Sequence, residues 1–166
     1  FEGGIGDKGT DAIKEFVKAG GRLACFNHAS DFAVKAFQLP VANTLAKLTP
    51  EQFICPTSLL RIQLTGRSPL GWGMPADAVA MFANGLAFQT WVPSGDMDRR
   101  VVAVYPEEEV LASGWLTGEK YLVQKAAVVD FTVEKGKVFL YGIRPQHRCQ
   151  THGTFKLLFN ALLWPE

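Results

Sequence analysis

With 166 residues, 48% apolar and 20% charged, the chain has the length and composition of one globular domain that buries its core without disulfide or metal staples. A formal net charge of +1 leaves no surplus of Lys and Arg for a phosphate backbone, which excludes nucleic acid as an expected partner. No apolar run reaches bilayer length, and Phe1-Glu2-Gly3-Gly4 lacks the basic start and apolar centre of a signal peptide, so no membrane span is expected.

In chain order, Gly3-Gly4-Ile5-Gly6 reads as the glycine-rich turn that leaves a parallel strand, although no strand stands before it in this sequence. A doubly wound sheet without its first strands would present an open edge. The expectation is therefore a single partial domain over 1–166, belonging to a longer polypeptide or docked on a partner that supplies strands. Asp7 to Ala19 has helical periodicity, with Ile13, Phe16 and Val17 on one face and Gly20-Gly21 as its stop. Arg22 to Phe26 is a short apolar strand, and Ser30 is placed to cap a helix carrying Phe32, Ala33, Ala36 and Phe37 inward.

Pro40, Pro50, Pro56, Pro69 and Pro75 interrupt the middle of the chain, but Leu59 to Thr65 alternates as a strand with Leu60, Ile62 and Leu64 on one side. Gly71 to Ser94 reads as loops with a short helix. Val101 to Tyr105 and Lys125 to Phe131 are valine-rich strands, and Lys135-Gly136 is a tight turn into a strand from Lys137 to Gly142. A last helix is expected from about Gly153 to Leu163, burying Phe155, Leu158, Phe159 and Leu162.

Chemistry-bearing residues are few. Cys25, Cys55 and Cys149 are an odd number without Cys-x-x-Cys spacing, which fits reduced core cysteines and neither a disulfide framework nor a zinc ribbon. His147-Arg148-Cys149-Gln150-Thr151-His152 places three ligand-capable side chains close together, but a structural zinc needs four with a second pair from another element, so no metal site is expected. The favoured alternative has Thr151 or Thr154 capping the last helix and His152 in its first turn. Arg144, Arg148 and Gln146 suit a carboxylate or a salt bridge to another domain. Trp72, Trp91, Trp115 and Trp164 are scattered, as core or rim residues are, and do not form a carbohydrate platform.

Gly142-Ile143-Arg144-Pro145-Gln146, after an apolar strand and before a helix, resembles the place where class I glutamine amidotransferases carry a catalytic Phe-His-Pro-Glu. Here Arg144 stands for the histidine and Gln146 for the glutamate. An arginine takes no proton from a nucleophile at neutral pH, and an amide does not stabilise an imidazolium as a carboxylate does. The family's nucleophile sits in a Gly-x-Cys-x-Gly elbow. Matching that pattern to Gly20 through Ala29 puts Asn27 or His28 at the nucleophile position and leaves Cys25 inside the strand.

Gly3 to Gly6, Gly20 to Phe37, Ser68-Pro69-Leu70-Gly71-Trp72-Gly73-Met74-Pro75, Ser113-Gly114-Trp115-Leu116 and Arg144 through Asn160 together resemble the carboxy-terminal region of bacterial zinc carboxypeptidase (carboxypeptidase A-like) family proteins. The resemblance covers nearly the whole chain. It implies an α/β fold, a flavodoxin-like or class I glutamine amidotransferase-like three-layer sandwich with a mostly parallel sheet lacking its first strands. It also implies a non-catalytic accessory domain trailing an amino-terminal metallopeptidase, serving domain packing, substrate presentation or oligomerisation. The peptidase's zinc would belong to that other domain, since none of His28, His147 and His152 is followed by glutamate three residues on. Its parent would be secreted or periplasmic. Partners would be the peptidase domain, a strand-supplying chain or a second copy. No catalytic residue is expected; Asn27, His28, Arg144, Gln146 and His152 are the candidate pocket residues. Two rival readings are a small-anion or metal-binding module at the strand ends, and a hydrolase using Cys25 or His28 with His152.

Overall fold

The computed structural model describes residues 4–163. Gly3 of the glycine-rich turn and Trp164 therefore lie outside the described residues. Helix α1 (Gly6–Lys18) carries Asp7 in its first turn and Lys18 in its last, each suited to the helix dipole. It stops in a Schellman arrangement: the Gly20 N–H donates to the Val17 carbonyl at 2.9 Å, the Gly21 N–H to the Phe16 carbonyl at 2.8 Å, and Gly20 takes the left-handed φ of +111°. Val17 faces the core, but Phe16 is exposed and lies along Gly21, where a Cβ would touch its ring. The expectation that Phe16 turns inward is thus corrected.

Strand β1 (Arg22–Phe26) leads directly into α2 (Ala29–Phe37). Ser30 is not the cap. It sits inside the helix and its hydroxyl donates back to the Cys25 carbonyl at 3.1 Å, stitching the helix to the strand it follows. After β2 (Val41–Asn43) come β3 (Thr57–Leu64), β4 (Asp77–Ala83), β5 (Phe88–Thr90), β6 (Met97–Val104), β7 (Leu111–Ser113), β8 (Ala126–Val133), β9 (Gly136–Tyr141) and α3 (Phe155–Leu162). The β3 alternation holds, with Leu60 and Ile62 fully buried. Strands β4 and β5 occupy a region expected to be loops and a short helix. The run Asp77-Ala78-Val79-Ala80-Met81-Phe82-Ala83 has too much alanine to read as a strand alone, and pairing along β3 from Thr57 to Gln63 makes it one.

The sheet runs β1-β9-β8-β6-β3-β4, with β5 beside β8, β2 beside β5 and β7 beside β3. Only β1 and β9 are parallel; every other described pair is antiparallel. The sheet is therefore mixed, not mostly parallel. A parallel neighbour usually needs a helical crossover, whereas successive strands from β2 to β9 join without an intervening α-helix. Between β8 and β9 only Glu134 and Lys135 intervene, with Val133 opposite Gly136 and Glu134 at φ +52°. Gly136 thus belongs to the strand rather than the turn. A Cβ there would stand 1.9 Å from the Val17 carbonyl, so its glycine lets the end of α1 lie against the hairpin.

Alternation along β9 divides the core. Val138 and Leu140 join Val17, Ala33, Phe37 and Phe131 under α1 and α2. Phe139 and Tyr141 join Leu60, Phe82, Tyr105, Leu157 and Ala161 on the opposite face, under α3. The two large buried hydroxyls are satisfied: Tyr141 donates to the Leu157 carbonyl at 2.8 Å and Tyr105 to the Leu86 carbonyl at 2.9 Å. On α3 the inward residues are Leu157 and Ala161, while Phe159 and Leu162 are 53% and 62% exposed. The expected stripe of Phe155, Leu158, Phe159 and Leu162 is rotated away from the sheet. No helix among the described residues is long and apolar enough to cross a membrane.

Candidate functional site

The parallel pairing of β1 and β9 brings their carboxyl ends side by side, the place where open α/β sheets bind ligands. Asn27 and His28 alone separate β1 from α2, and Asn27 takes φ +48°. A sharp strand-to-helix turn is also the place where α/β hydrolases present a nucleophile. Of the two residues matched to that position, Asn27 has the strained backbone. Its N–H donates to the Tyr141 carbonyl at 2.8 Å and its side-chain amide to the Ala83 carbonyl at 2.7 Å. Asn27 is 6% exposed, and its Oδ1 has no hydrogen-bond partner among the described residues.

Arg144 reaches the same carbonyl from the end of β9. Its peptide N–H donates to Met81 at 2.9 Å and its Nε to Ala83 at 3.2 Å. Ala83 closes β4, so three strand ends meet at one oxygen. Beside them a cleft of about 250 Å³ is lined by Phe26, Arg144, Pro145, Gln146 and Leu158. His28 faces elsewhere. It lies 3.3 Å from the Asp31 carboxylate and lines a broader groove of about 500 Å³ shared with Asn43, Phe53, Asn84 and Leu86. His152 is exposed in a 3-10 turn, edge-on to the Phe155 ring at 5.3 Å, and lines neither recess. The structure thus gathers Asn27, Arg144 and Gln146 and leaves His28 and His152 outside that group.

The cysteines divide by exposure. Cys25 is 3% exposed in β1, and burial pushes its thiol up to about 12, so almost no thiolate exists at neutral pH. Burial also raises the Cys55 thiol, partly offset by a hydrogen bond with Ser58. Cys149 is exposed. A thiol-alkylating reagent is therefore expected to modify Cys149 rapidly in the native protein, and Cys25 and Cys55 only after unfolding. Fast native-state labelling of a Cys149→Ser variant, located to Cys25 by peptide mapping, would contradict this.

The segment weighed for zinc is a tight turn. His147 and Gln150 exchange backbone hydrogen bonds of 2.6 and 2.9 Å, and Arg148 and Cys149 take φ of +50° and +59°, the signature of a type I′ turn. Among the described residues no three His, Cys, Asp or Glu side chains gather to hold a metal. Thr154 precedes α3 but makes no side-chain cap; its hydroxyl donates to the Pro145 carbonyl at 2.8 Å, tying the Arg144 loop to the helix. Trp72, Trp91 and Trp115 are all exposed, which places them on the rim.

Sequence reasoning missed the buried Asp130, which accepts from the Ser68 hydroxyl at 2.9 Å and lies 3.6 Å from the Lys137 ammonium. Ser68 also accepts from the Leu70 N–H at 3.2 Å, capping the turn Pro69–Gly71. One turn apart on α3, Asn160 donates to the Leu70 and Trp72 carbonyls at 2.9 and 3.0 Å, and Lys156 donates to Gly73. The i, i+4 spacing of Lys156 and Asn160 was the available signal; its partners lie far away in sequence.

No protein-family model matches this chain. No curated protein matches it either. Solved structures do. A ThuA-like protein from Bacteroides uniformis superposes with a TM-score of 0.58 at 15% identity, over 97% of this chain and 64% of that one. A β-galactosidase from Rahnella sp. R3 gives 0.56 at 14% identity, over 96% of this chain and 21% of that one. A GH42 β-galactosidase from G. stearothermophilus gives 0.52 at 14% identity, over 95% and 20%. The chain therefore spans under two thirds of the first and about a fifth of the others. At such identities the likeness is one of fold alone.

Proposed function

We propose that this chain is a non-catalytic accessory domain of class I glutamine amidotransferase-like fold within a zinc carboxypeptidase-like protein, serving domain packing, substrate presentation or oligomerisation. The observation that supports the non-catalytic part is the elbow: Asn27, one of the two residues matched to the nucleophile position, takes the left-handed backbone there, and its amide is engaged on the Ala83 carbonyl. On the facing loop Arg144 and Gln146 are matched to the histidine base and to the glutamate that stabilises its imidazolium, and neither can play that part at neutral pH. Any zinc would belong to the peptidase part.

The packing role draws support from β1, which pairs with β9 alone among the described strands. Gly21 C=O and Asn27 N–H point to β9, so by alternation the peptide groups of Ala24 and Phe26 point to the other side, where a further parallel strand would fit.

Purified protein is expected to release no ammonia from glutamine and to hydrolyse neither activated esters nor anilides above the buffer rate. Turnover that Asn27→Ala abolishes would overturn the non-catalytic reading. Parentage is tested separately by the coding sequence upstream of Phe1. It is expected to encode a His-x-x-Glu pair and a later histidine, and their absence would sink that part.

A further inference from the structure

We propose that the cleft between the ends of β1 and β9 binds the carboxylate of an N-acylated amino acid with an apolar side chain, anchored by Arg144. Arg144 is half-buried and its guanidinium takes part in no ion pair among the described residues. Its Nε and its peptide N–H are both spent on β4, on Ala83 at 3.2 Å and Met81 at 2.9 Å, which fixes the guanidinium in place. The two Nη groups have no partner among the described residues. A fixed guanidinium with a free pair of donors matches the fork of a carboxylate, and a site organised before binding loses little entropy when it binds.

The walls supply the rest of the chemistry. Phe26, Pro145 and Leu158 present apolar surface, Gln146 offers an amide, and about 250 Å³ has room for one side chain of moderate size rather than a polymer. The Gln146 side-chain carbonyl is the lining group able to accept from an amide N–H next to the bound carboxylate. Carboxylate, neighbouring N–H and apolar side chain together describe an acylated amino acid, either free or as the last residue of a peptide.

The proposal rests on the non-catalytic reading of the elbow only in that the ligand is held and not converted. Isothermal titration of the full chain with N-acetyl-L-phenylalanine, with its carboxamide, and with a tripeptide ending in phenylalanine as acid or amide tests it. Both acids are expected to bind and both amides to bind at least about tenfold more weakly, with Arg144→Gln reducing acid binding by a similar factor. Leu158→Trp, which fills the cleft and leaves Arg144 in place, is expected to abolish binding, so the test does not depend on the folding of one variant. Binding of the single amino acid but not the tripeptide assigns a free ligand, and the reverse assigns a peptide terminus; either supports the site. Equal binding of acid and amide, or binding unchanged in both variants, overturns it, as does no binding of any acid at millimolar concentration. Hydrolysis of a bound ligand would overturn the non-catalytic reading and keep the site, whereas absence of binding leaves that reading untouched.

Discussion

Gly142→Ala is expected to cost about 4 kcal/mol or more, a loss that few single substitutions reach. Gly142 follows β9 and opens the loop that carries Arg144. A Cβ there would stand 2.2 Å from the Leu86 carbonyl oxygen and 3.2 Å from that of Ala127. Neither neighbour is a flexible side chain. The Gly142 N–H donates to Ala127 at 2.8 Å, and the Gly142 carbonyl accepts from Leu86 at 2.7 Å, so relief of the clash breaks the contacts that hold this backbone in place. Opposite it, Gly85 is under the same constraint, since a Cβ there would meet the Gly142 carbonyl at 2.4 Å. Urea unfolding is expected to show a strongly lowered midpoint with an unchanged slope. Gly153→Ala, where a Cβ would meet nothing within 4 Å, serves as the control and is expected to change stability by no more than about 0.5 kcal/mol. A Gly142→Ala variant as stable as the control would mean that these two backbones do not approach as described.

Asp130→Ala is expected to cost about 3 kcal/mol, because it strips a buried carboxylate from two partners at once. Asp130 is 1% exposed, accepts from Ser68 and faces Lys137, whose ammonium also donates to the Thr132 hydroxyl at 2.8 Å. Removing it leaves the Ser68 hydroxyl without its acceptor and loosens the turn that Asn160 of α3 grips. Asp130→Asn separates charge from packing. Burial raises the Asp130 carboxyl above the usual carboxylate range, and Lys137, the Ser68 hydroxyl and Arg100 pull it back only in part. A carboxyl whose folded-state pKa is raised holds its proton more tightly in the folded chain, so stability falls as pH rises through that value and is recovered below the ordinary one. The asparagine variant lacks this penalty. Its stability relative to the native chain is therefore expected to rise in thermal unfolding as pH increases above the ordinary carboxylate value of about 4. A difference that stays constant with pH would contradict the raised pKa.

Much of the outer frame is legible in local pattern. The 3.6-residue period of α1, the Gly20-Gly21 stop, the apolar β1 and the β3 alternation depend on neighbours within one turn or one pleat, and each appears within a few residues of its expected place. The identities of Arg144 and Gln146 can likewise be read off without knowing where they sit. What failed did so for identifiable reasons. Alanine-rich β4 has no strong preference of its own and becomes a strand through β3. The α3 stripe is apolar nearly all round, so its periodicity does not say which side meets the sheet, and burial of Leu157 and Ala161 decides it.

For the site the division is sharper. Residue identity alone determined that the positions after β9 matched to a histidine and a glutamate hold Arg144 and Gln146, and that no cysteine stands where β1 turns into α2. Only the tertiary structure decided that Asn27, and not His28, takes the strained elbow, and that Arg144 comes to lie beside it. Both donate to Ala83, which is 56 residues from one and 61 from the other. Local pattern carries faces and ends, whereas the meeting of three strand ends is set by long-range pairing across the sheet, which no window of sequence contains.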